Sequence, residues 1–282
     1  MSKLSEPLKQ FINAAHAKPN TIPAPQNVIS VYERIASEAG FKKVGLPAWL
    51  CASSMLELYR LATSPAQKKV ENQGVYAAEL MREVGLKCIG FNGVPRTINV
   101  LGAFYGGLPA DIQAALKERK PRRNLSRDNI EATLARGDSL WESIYRPFSD
   151  KLTAKLAQSH PDLPVHIIES EYGCLFSDPP SAKDANRPDI GRVLTSVIAV
   201  ACLRAQSGVG PQVVSHVFGL RKAFEDGSAE SEEEMPGGKW LASNEGSLWL
   251  LQQVDSIVHA LGQGQGTTFA PGFQEKALKA KL

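Results

Sequence analysis

Apolar residues recur at intervals of three and four along most of this chain, which is the spacing of one face of an α-helix. Strict alternation of apolar and polar residues, which is typical of half-buried strands, is scarce. The pattern therefore predicts an almost entirely helical protein, with helices over residues 4–17, 28–39, 47–63, 66–87, 129–135, 141–148, 152–156 and 243–261. Residues 166–176 fit a helix or a strand equally well, because their apolar positions follow neither period clearly.

The most apolar stretch of the chain follows Arg192. An almost unbroken apolar run over residues 193–203 is typical of a helix that is covered on nearly all sides. Residues 207–211 then interrupt the run, because glycine tolerates positive φ and proline fits the first turn of a new helix. We predict two packed, buried helices, of which the second begins near Pro211.

One histidine lies on the inner face of that second helix. His216 shares this face with Gln212 and Gly219, because positions three and four apart lie together on a helix. Imidazole has an ordinary pKa of about 6.5, so His216 is a candidate catalytic residue for proton transfer. The alternative is a core histidine whose ring is hydrogen-bonded by Gln212 one turn earlier. Gln212 is a candidate binding residue in either case.

Composition and charge exclude several classes of protein. The chain has 282 residues, 43% hydrophobic and 22% charged, which is enough for one large domain or two moderate ones. A formal net charge of +3 is too small to indicate nucleic-acid binding. No secretory signal and no apolar run of about 18–20 residues is visible, so we expect a soluble protein without a membrane span. No glycine-rich phosphate loop or metal-ligand cluster indicates a cofactor or a metal.

The four cysteines lie far apart and form no CxxC motif. Cys51, Cys88 and Cys202 have apolar neighbours, which is typical of small core residues in a reducing compartment. Cys202 has a second interpretation as a reactive thiol, because it lies at a helix end before Arg204. We therefore keep Cys202 among the candidate binding residues.

Other polar side chains are weaker candidates for a site. Arg96 and Asn99 lie on one side of the helix that Pro95 begins, where they could line a polar pocket or a subunit contact. Glu79 could lie near His216 or be an ordinary solvated carboxylate. The basic segment 117–127, with Arg122 and Arg123, could hold an anionic ligand or form a solvated turn.

The segment around His216 resembles a known family. Arg192 before an apolar helix, a short break with glycine, and a second helix with His216 followed by Gly219-Leu220 resemble the carboxymuconolactone decarboxylase-like group, which includes the AhpD-like alkylhydroperoxidases. The resemblance implies an all-helical, often oligomeric protein with its active site between helices near the histidine. Val209 and Gln212 stand where AhpD-like members carry their two cysteines. We therefore expect no thiol peroxidase activity.

A second fragment, residues 89–104, resembles the closing helix of such a module. The two fragments together suggest two degenerate modules in one chain. We divide the chain into an N-terminal helical module (1–110), a helical connector (111–185), a C-terminal carboxymuconolactone decarboxylase-like module (186–262) and a flexible tail (263–282).

The tail carries a candidate address. Ala280-Lys281-Leu282 is a conservative variant of the Ser-Lys-Leu peroxisomal signal, which an import receptor reads at a free carboxylate. Lys276 and Lys279 precede it, and the glycine-rich run after Gly262 would let the tail extend. We expect a location in the peroxisomal matrix and an interaction with the import receptor.

Two classes of function follow. The first is a peroxisomal decarboxylase, lyase or isomerase in which His216 moves a proton on a small carboxylate, keto acid or acyl-CoA-type substrate, without a cofactor. The second is a non-catalytic scaffold or binding protein of the same fold in peroxisomal lipid metabolism.

Overall fold

The computed structural model describes residues 6–12, 27–45, 48, 73–180, 188–229 and 235–261. Every regular element in these ranges is a helix and none is a strand, which confirms the predicted all-helical fold class. In chain order the helices are α1 (Glu6–Ile12), α2 (Val28–Phe41), α3 (Gln73–Lys87), α4 (Ile89–Asn92), α5 (Val94–Gly106), α6 (Ala110–Lys117), α7 (Ile130–Tyr145), α8 (Ser149–Ser159), α9 (Asp162–Val165), the π-helix π1 (His166–Phe176), α10 (Gly191–Gln206), α11 (Gly210–Glu225), α12 (Gly238–Leu241) and α13 (Asn244–Leu261). Within the described ranges, no helix has both the length and the apolar character needed to cross a bilayer.

Helix α10 forms the centre of the protein. All of its side chains from Arg192 to Ala201 are buried, as the apolar run predicts. It packs against α11, α13 and α4. The chain leaves α10 through Ser207 and Gly208, which both have positive φ, and α11 begins with Gly210 and Pro211. The predicted buried helix α10 and the break after it are confirmed, whereas α11 buries one face only and leaves Val214 and Phe218 exposed.

The main hydrophobic core is shared by helices from both ends of the chain. It joins α2, α3, α5, α10, α11 and α13 through buried side chains, among them Tyr32, Leu80, Phe104, Ile198, Leu220 and Leu250. This core is continuous across the predicted N-terminal and C-terminal modules. The division into two degenerate modules stays a prediction.

A second, smaller core lies between α7 and π1. It contains Trp141, Ile144, Tyr172 and Phe176. Residues 166–176, whose pattern fitted a helix or a strand, form π1. In a π-helix each backbone N–H bonds the carbonyl five residues earlier, as Ser177 N–H bonds the Tyr172 carbonyl at the end of π1. The helix pair belongs to the predicted connector, and α7 also packs against α11 of the predicted C-terminal module.

One detail of the predicted helices differs from the structure. The two helices predicted within residues 129–148 are one continuous helix, α7, in which Gly137 allows close packing instead of ending the helix. Of the helix predicted over residues 66–87, the described part is α3, which runs through Gly85 and ends at Lys87 as predicted. Of the helix predicted over residues 47–63, only Ala48 lies in the described ranges.

Candidate functional site

Arg192 links three helices in the interior of the protein. It lies at the start of α10, and its side chain is buried. Its guanidinium donates to the Ser143 Oγ at 2.8 Å and the Ser143 carbonyl at 3.1 Å on α7. It also donates to Ser196 Oγ at 2.5 Å and to the Gly219 carbonyl of α11 at 2.6 Å. These bonds fix α11, and with it His216, against α7.

His216 is buried and forms a hydrogen bond with a tyrosine. Its Nε2 lies 3.3 Å from the hydroxyl of Tyr145, which in turn lies 3.0 Å from the hydroxyl of Tyr172. The Nδ1 atom of His216 is buried and has no hydrogen-bond partner among the described residues. The three side chains form a polar chain inside an apolar surrounding.

The surroundings keep the imidazole neutral. Burial, with a smaller contribution from the positive charge of Arg192, lowers the pKa of His216 from 6.5 to about 4. Burial also raises the pKa of Tyr145, and it raises the pKa of Tyr172 well above its ordinary value. At physiological pH these three hydrogen-bonded side chains are therefore a neutral imidazole and two protonated phenols.

Aromatic rings enclose the polar group of His216, Tyr145 and Tyr172 on several sides. Phe91 meets His216 edge-on with ring centroids 6.4 Å apart, and it stacks on Phe176 at 5.1 Å. Trp141 packs against both tyrosines, at 4.2 Å from Tyr145 and 5.1 Å from Tyr172. Such rings exclude water, which accounts for the desolvation of the histidine.

A cleft of about 510 Å³ lies beside the aromatic rings and Arg192 that surround His216. Its walls include Phe176 and Arg192, together with Arg136 and Asp178. Arg136 donates from Nη1 and Nη2 to the Ala132 carbonyl and the Thr133 hydroxyl, while its Nε has no hydrogen-bond partner among the described residues. Neither His216 nor Tyr145 lines this cleft.

The other candidate residues do not gather around His216. Gln212, Asn99 and Arg96 are exposed. Gln212 therefore does not hydrogen-bond the imidazole of His216 as the core-histidine interpretation expected. The hydroxyl of Tyr145 forms the hydrogen bond with His216 instead. Cys202 is partly buried, and its Sγ lies 3.5 Å from that of Cys88. Residues 280–282 lie outside the described ranges.

The acidic and basic candidates form ion pairs with each other. Glu79 is 5% exposed and accepts from Arg119 at 2.9 Å, so the interpretation as a solvated carboxylate is wrong. Arg122 contacts Asp189 at 2.9 Å, and Arg123 contacts Glu83 at 2.9 Å.

The same network reaches the cleft. Lys87 is fully buried and lies 3.0 Å from the carboxylate of Asp178, which also accepts the Gly191 N–H at 2.6 Å. Asp178 thereby satisfies the first backbone N–H of α10, which has no partner within the helix. Within the predicted basic segment, Arg119, Arg122 and Arg123 are partly buried in ion pairs, whereas Lys117, Lys120 and Arg127 are exposed. The solvated-turn interpretation therefore describes only part of the segment, and the ligand-holding one stays a prediction.

Sequence reasoning missed Tyr145 and Tyr172. The one available signal was the spacing of Trp141 and Tyr145, which places two aromatic rings on the same side of α7. Within the described ranges, no group of three His, Cys, Asp or Glu side chains is placed to hold a metal ion.

Comparisons of the chain with protein-family models, with curated proteins and with solved structures found no match.

Proposed function

We propose that this chain is a cofactor-independent enzyme in which His216 and Tyr145 transfer a proton to or from a small anionic substrate. The observation that carries this proposal is the bond between a neutral, buried imidazole and a tyrosine hydroxyl. A neutral imidazole has a free nitrogen lone pair, which is the requirement for a general base at physiological pH. The resemblance to the carboxymuconolactone decarboxylase-like group motivates the reaction class, a decarboxylation, isomerisation or related lyase step.

Tyr145 is the partly buried member of the pair, whereas His216 is buried. In the proposed step the Tyr145 oxygen accepts a proton from a substrate carbon while its own proton moves to Nε2 of His216. The tyrosine therefore never carries a full negative charge, which its raised pKa would oppose. The proton ends on His216, whose lowered pKa favours its rapid return to the substrate or product carbon. Arg192 holds the two helices that carry the pair, and it acts as a positioning residue.

The cleft supports an anionic substrate such as a small carboxylate, a keto acid or an acyl-CoA-type thioester. Arg136 lines the cleft, and Arg groups bind carboxylates through paired N–H donors. Phe176 separates the cleft from the tyrosines, since it lines the cleft and packs against Tyr172 with centroids 5.3 Å apart. The proposal requires Phe176 to move when substrate binds.

Exchange of carbon-bound hydrogen for deuterium tests this proposal. The full chain is incubated in D₂O with a panel of small 2-oxo acids, 3-oxo acids and short acyl thioesters, and proton NMR measures the exchange. We expect exchange above the spontaneous rate for at least one class, with a loss of about 10²- to 10⁴-fold in His216→Gln. Arg136→Gln should raise KM more than it lowers kcat, because Arg136 is proposed to bind the substrate and takes no part in the proton transfer. An exchange rate in His216→Gln equal to that of the unchanged protein would contradict the proposal.

A second candidate function is a non-catalytic binding protein, and one observation favours it. His216 and Tyr145 do not line the cleft, as expected for a histidine that only stabilises the core. In that case His216→Gln lowers stability by about 1–3 kcal/mol, because it disturbs a buried hydrogen bond, and the cleft still binds its ligand. The absence of exchange across the whole panel, with carboxylate binding retained, would select this second function.

A further inference from the structure

Two cysteines far apart in the sequence meet at the edge of the main core. The Sγ atoms of Cys88 and Cys202 lie 3.5 Å apart, although the residues are 114 positions apart in the chain. Cys88 lies between α3 and α4, and Cys202 lies in the last turns of α10. Both side chains are partly buried and neither forms a disulfide.

Hydrogen bonds hold the two segments together around the sulfur atoms. The side chain of Gln206, at the end of α10, donates to the Phe91 carbonyl and to Asn92 Oδ1, the latter at 3.3 Å. The N–H groups of Phe91 and Asn92 bond back to the Cys88 carbonyl at 3.1 and 2.8 Å. The short helix α4 is thereby fixed against the end of α10, and the proximity of the thiols does not depend on the sulfur contact alone.

The contact also affects reactivity. A hydrogen bond from Cys202 lowers the pKa of Cys88 below its usual range, although burial acts in the opposite direction. A lower pKa increases the fraction of thiolate, which is the nucleophile in thiol–disulfide exchange. The bonded partner is itself a thiol, so a second sulfur is available to complete the exchange.

We propose that Cys88 and Cys202 form a redox pair that is reversibly oxidised to a disulfide by low-molecular-weight disulfides such as oxidised glutathione. The Cys88 thiolate attacks one sulfur of that disulfide, forms a mixed disulfide and releases one thiolate. Cys202, as thiolate, then attacks the Cys88 sulfur and releases the second thiolate. The two protons of the cysteines leave with the two released thiols, and the two electrons pass to the reagent. A disulfide bond of about 2.05 Å requires the sulfurs to approach by about 1.5 Å from their separation of 3.5 Å.

This pair differs from the cysteines expected from the family resemblance, which would stand at positions 209 and 212. The expectation of no thiol peroxidase activity rests on Val209 and Gln212 at those positions, and it stays a prediction, because Cys88 and Cys202 lie elsewhere in the fold. The proposal uses neither His216 nor the cleft, so it stands or falls independently of the proposed function.

Peptide mapping of the unchanged full chain tests the pair directly. The protein is equilibrated with defined ratios of reduced and oxidised glutathione, quenched in acid, unfolded, alkylated with N-ethylmaleimide and digested with trypsin. Cleavage after Lys87, Arg96, Arg192 and Arg204 isolates residues 88–96 and 193–204, each with a single cysteine. We expect these two peptides to appear linked as the glutathione ratio becomes oxidising, with two alkylatable thiols lost together, and to separate again with dithiothreitol.

Single substitutions supply the controls. Cys174→Ser should retain the loss of two thiols, because Cys174 is not part of the pair. Cys202→Ser should leave Cys88 as a mixed disulfide with glutathione that does not proceed further. The proposal is overturned if wild-type Cys88 and Cys202 remain alkylatable under a large excess of oxidised glutathione. It is also overturned if Cys88 stops at the mixed disulfide in the unchanged chain, or if either cysteine links to Cys51 or Cys174 instead.

Discussion

At the scale of single residues, the conformation around His216 depends most on Arg192. Its guanidinium reaches acceptors on α7, α10 and α11 at once, and each of its three nitrogens donates. A planar fork with five N–H donors can satisfy this arrangement, whereas a lysine ammonium is a compact group with three. The identity of this residue as arginine therefore matters more than its charge.

Substitution of Arg192 by lysine should destabilise the protein by about 2–3 kcal/mol, because buried acceptors such as the Gly219 carbonyl lose their donor. Urea unfolding measures the change. Arg204→Lys is the matched control on the same helix, since Arg204 is exposed and pairs with Asp255 at the surface. That control should change the free energy of unfolding by less than about 1 kcal/mol. Equal effects of the two substitutions would show that Arg192 does not hold the three helices together.

At the scale of elements, the placement of Tyr145 and Tyr172 depends on the close approach of α7 and π1. A Cβ atom added at Gly137 would lie 2.6 Å from the backbone of Gly173 and 2.8 Å from the Ile168 carbonyl. Backbone atoms cannot rotate away as a side chain can. Only glycine at position 137 permits this spacing, and the spacing brings the two tyrosine hydroxyls to 3.0 Å.

Gly137→Ala should therefore separate α7 from π1 and destabilise the protein by about 1–3 kcal/mol or more. The control is Gly102→Ala in α5, where an added Cβ meets nothing within 4 Å. Alanine there should stabilise the helix by up to about 1 kcal/mol, because glycine is a poor helix former. Thermal unfolding of both variants shows whether each substitution raises or lowers the melting temperature. A neutral or stabilising Gly137→Ala would contradict the described packing.

At the scale of the whole molecule, the proposed location is tested separately from the fold. We propose that Ala280-Lys281-Leu282 directs the protein to peroxisomes when Leu282 carries the free carboxylate. A fluorescent protein fused before residue 1 should collect in peroxisomes, and removal of the last three residues should release it to the cytosol. Addition of a few residues after Leu282 is the matched control, since it keeps the tripeptide but masks its carboxylate. An unchanged distribution in both variants would end this proposal.

The helices follow from the sequence where a periodic or continuous apolar pattern specifies them. The run over residues 193–203 determines α10, and Gly208 with Pro211 determines its separation from α11, because these effects are local. The π-helix does not follow, since the apolar positions of residues 166–176 follow neither the helical nor the strand period clearly.

The contacts of the candidate site could be predicted less well. The inward direction of His216 follows from helical spacing, but its partner Tyr145 lies 71 positions away. The same holds for Cys88 with Cys202, and for Arg123 with Glu83 across a turn of the chain. Such contacts depend on how helices are arranged in space, which the spacing within one helix does not contain.

The central claim is that His216 is a neutral base in a desolvated site, and its titration tests this most directly. Ring nitrogen-15 shifts are followed from about pH 8 to about pH 5, and the signals of His216 are those missing from His216→Gln. With a pKa of about 4, the ring should be only about one tenth protonated at about pH 5. A His216 ring that takes up its proton with a midpoint near 6.5 would contradict the account.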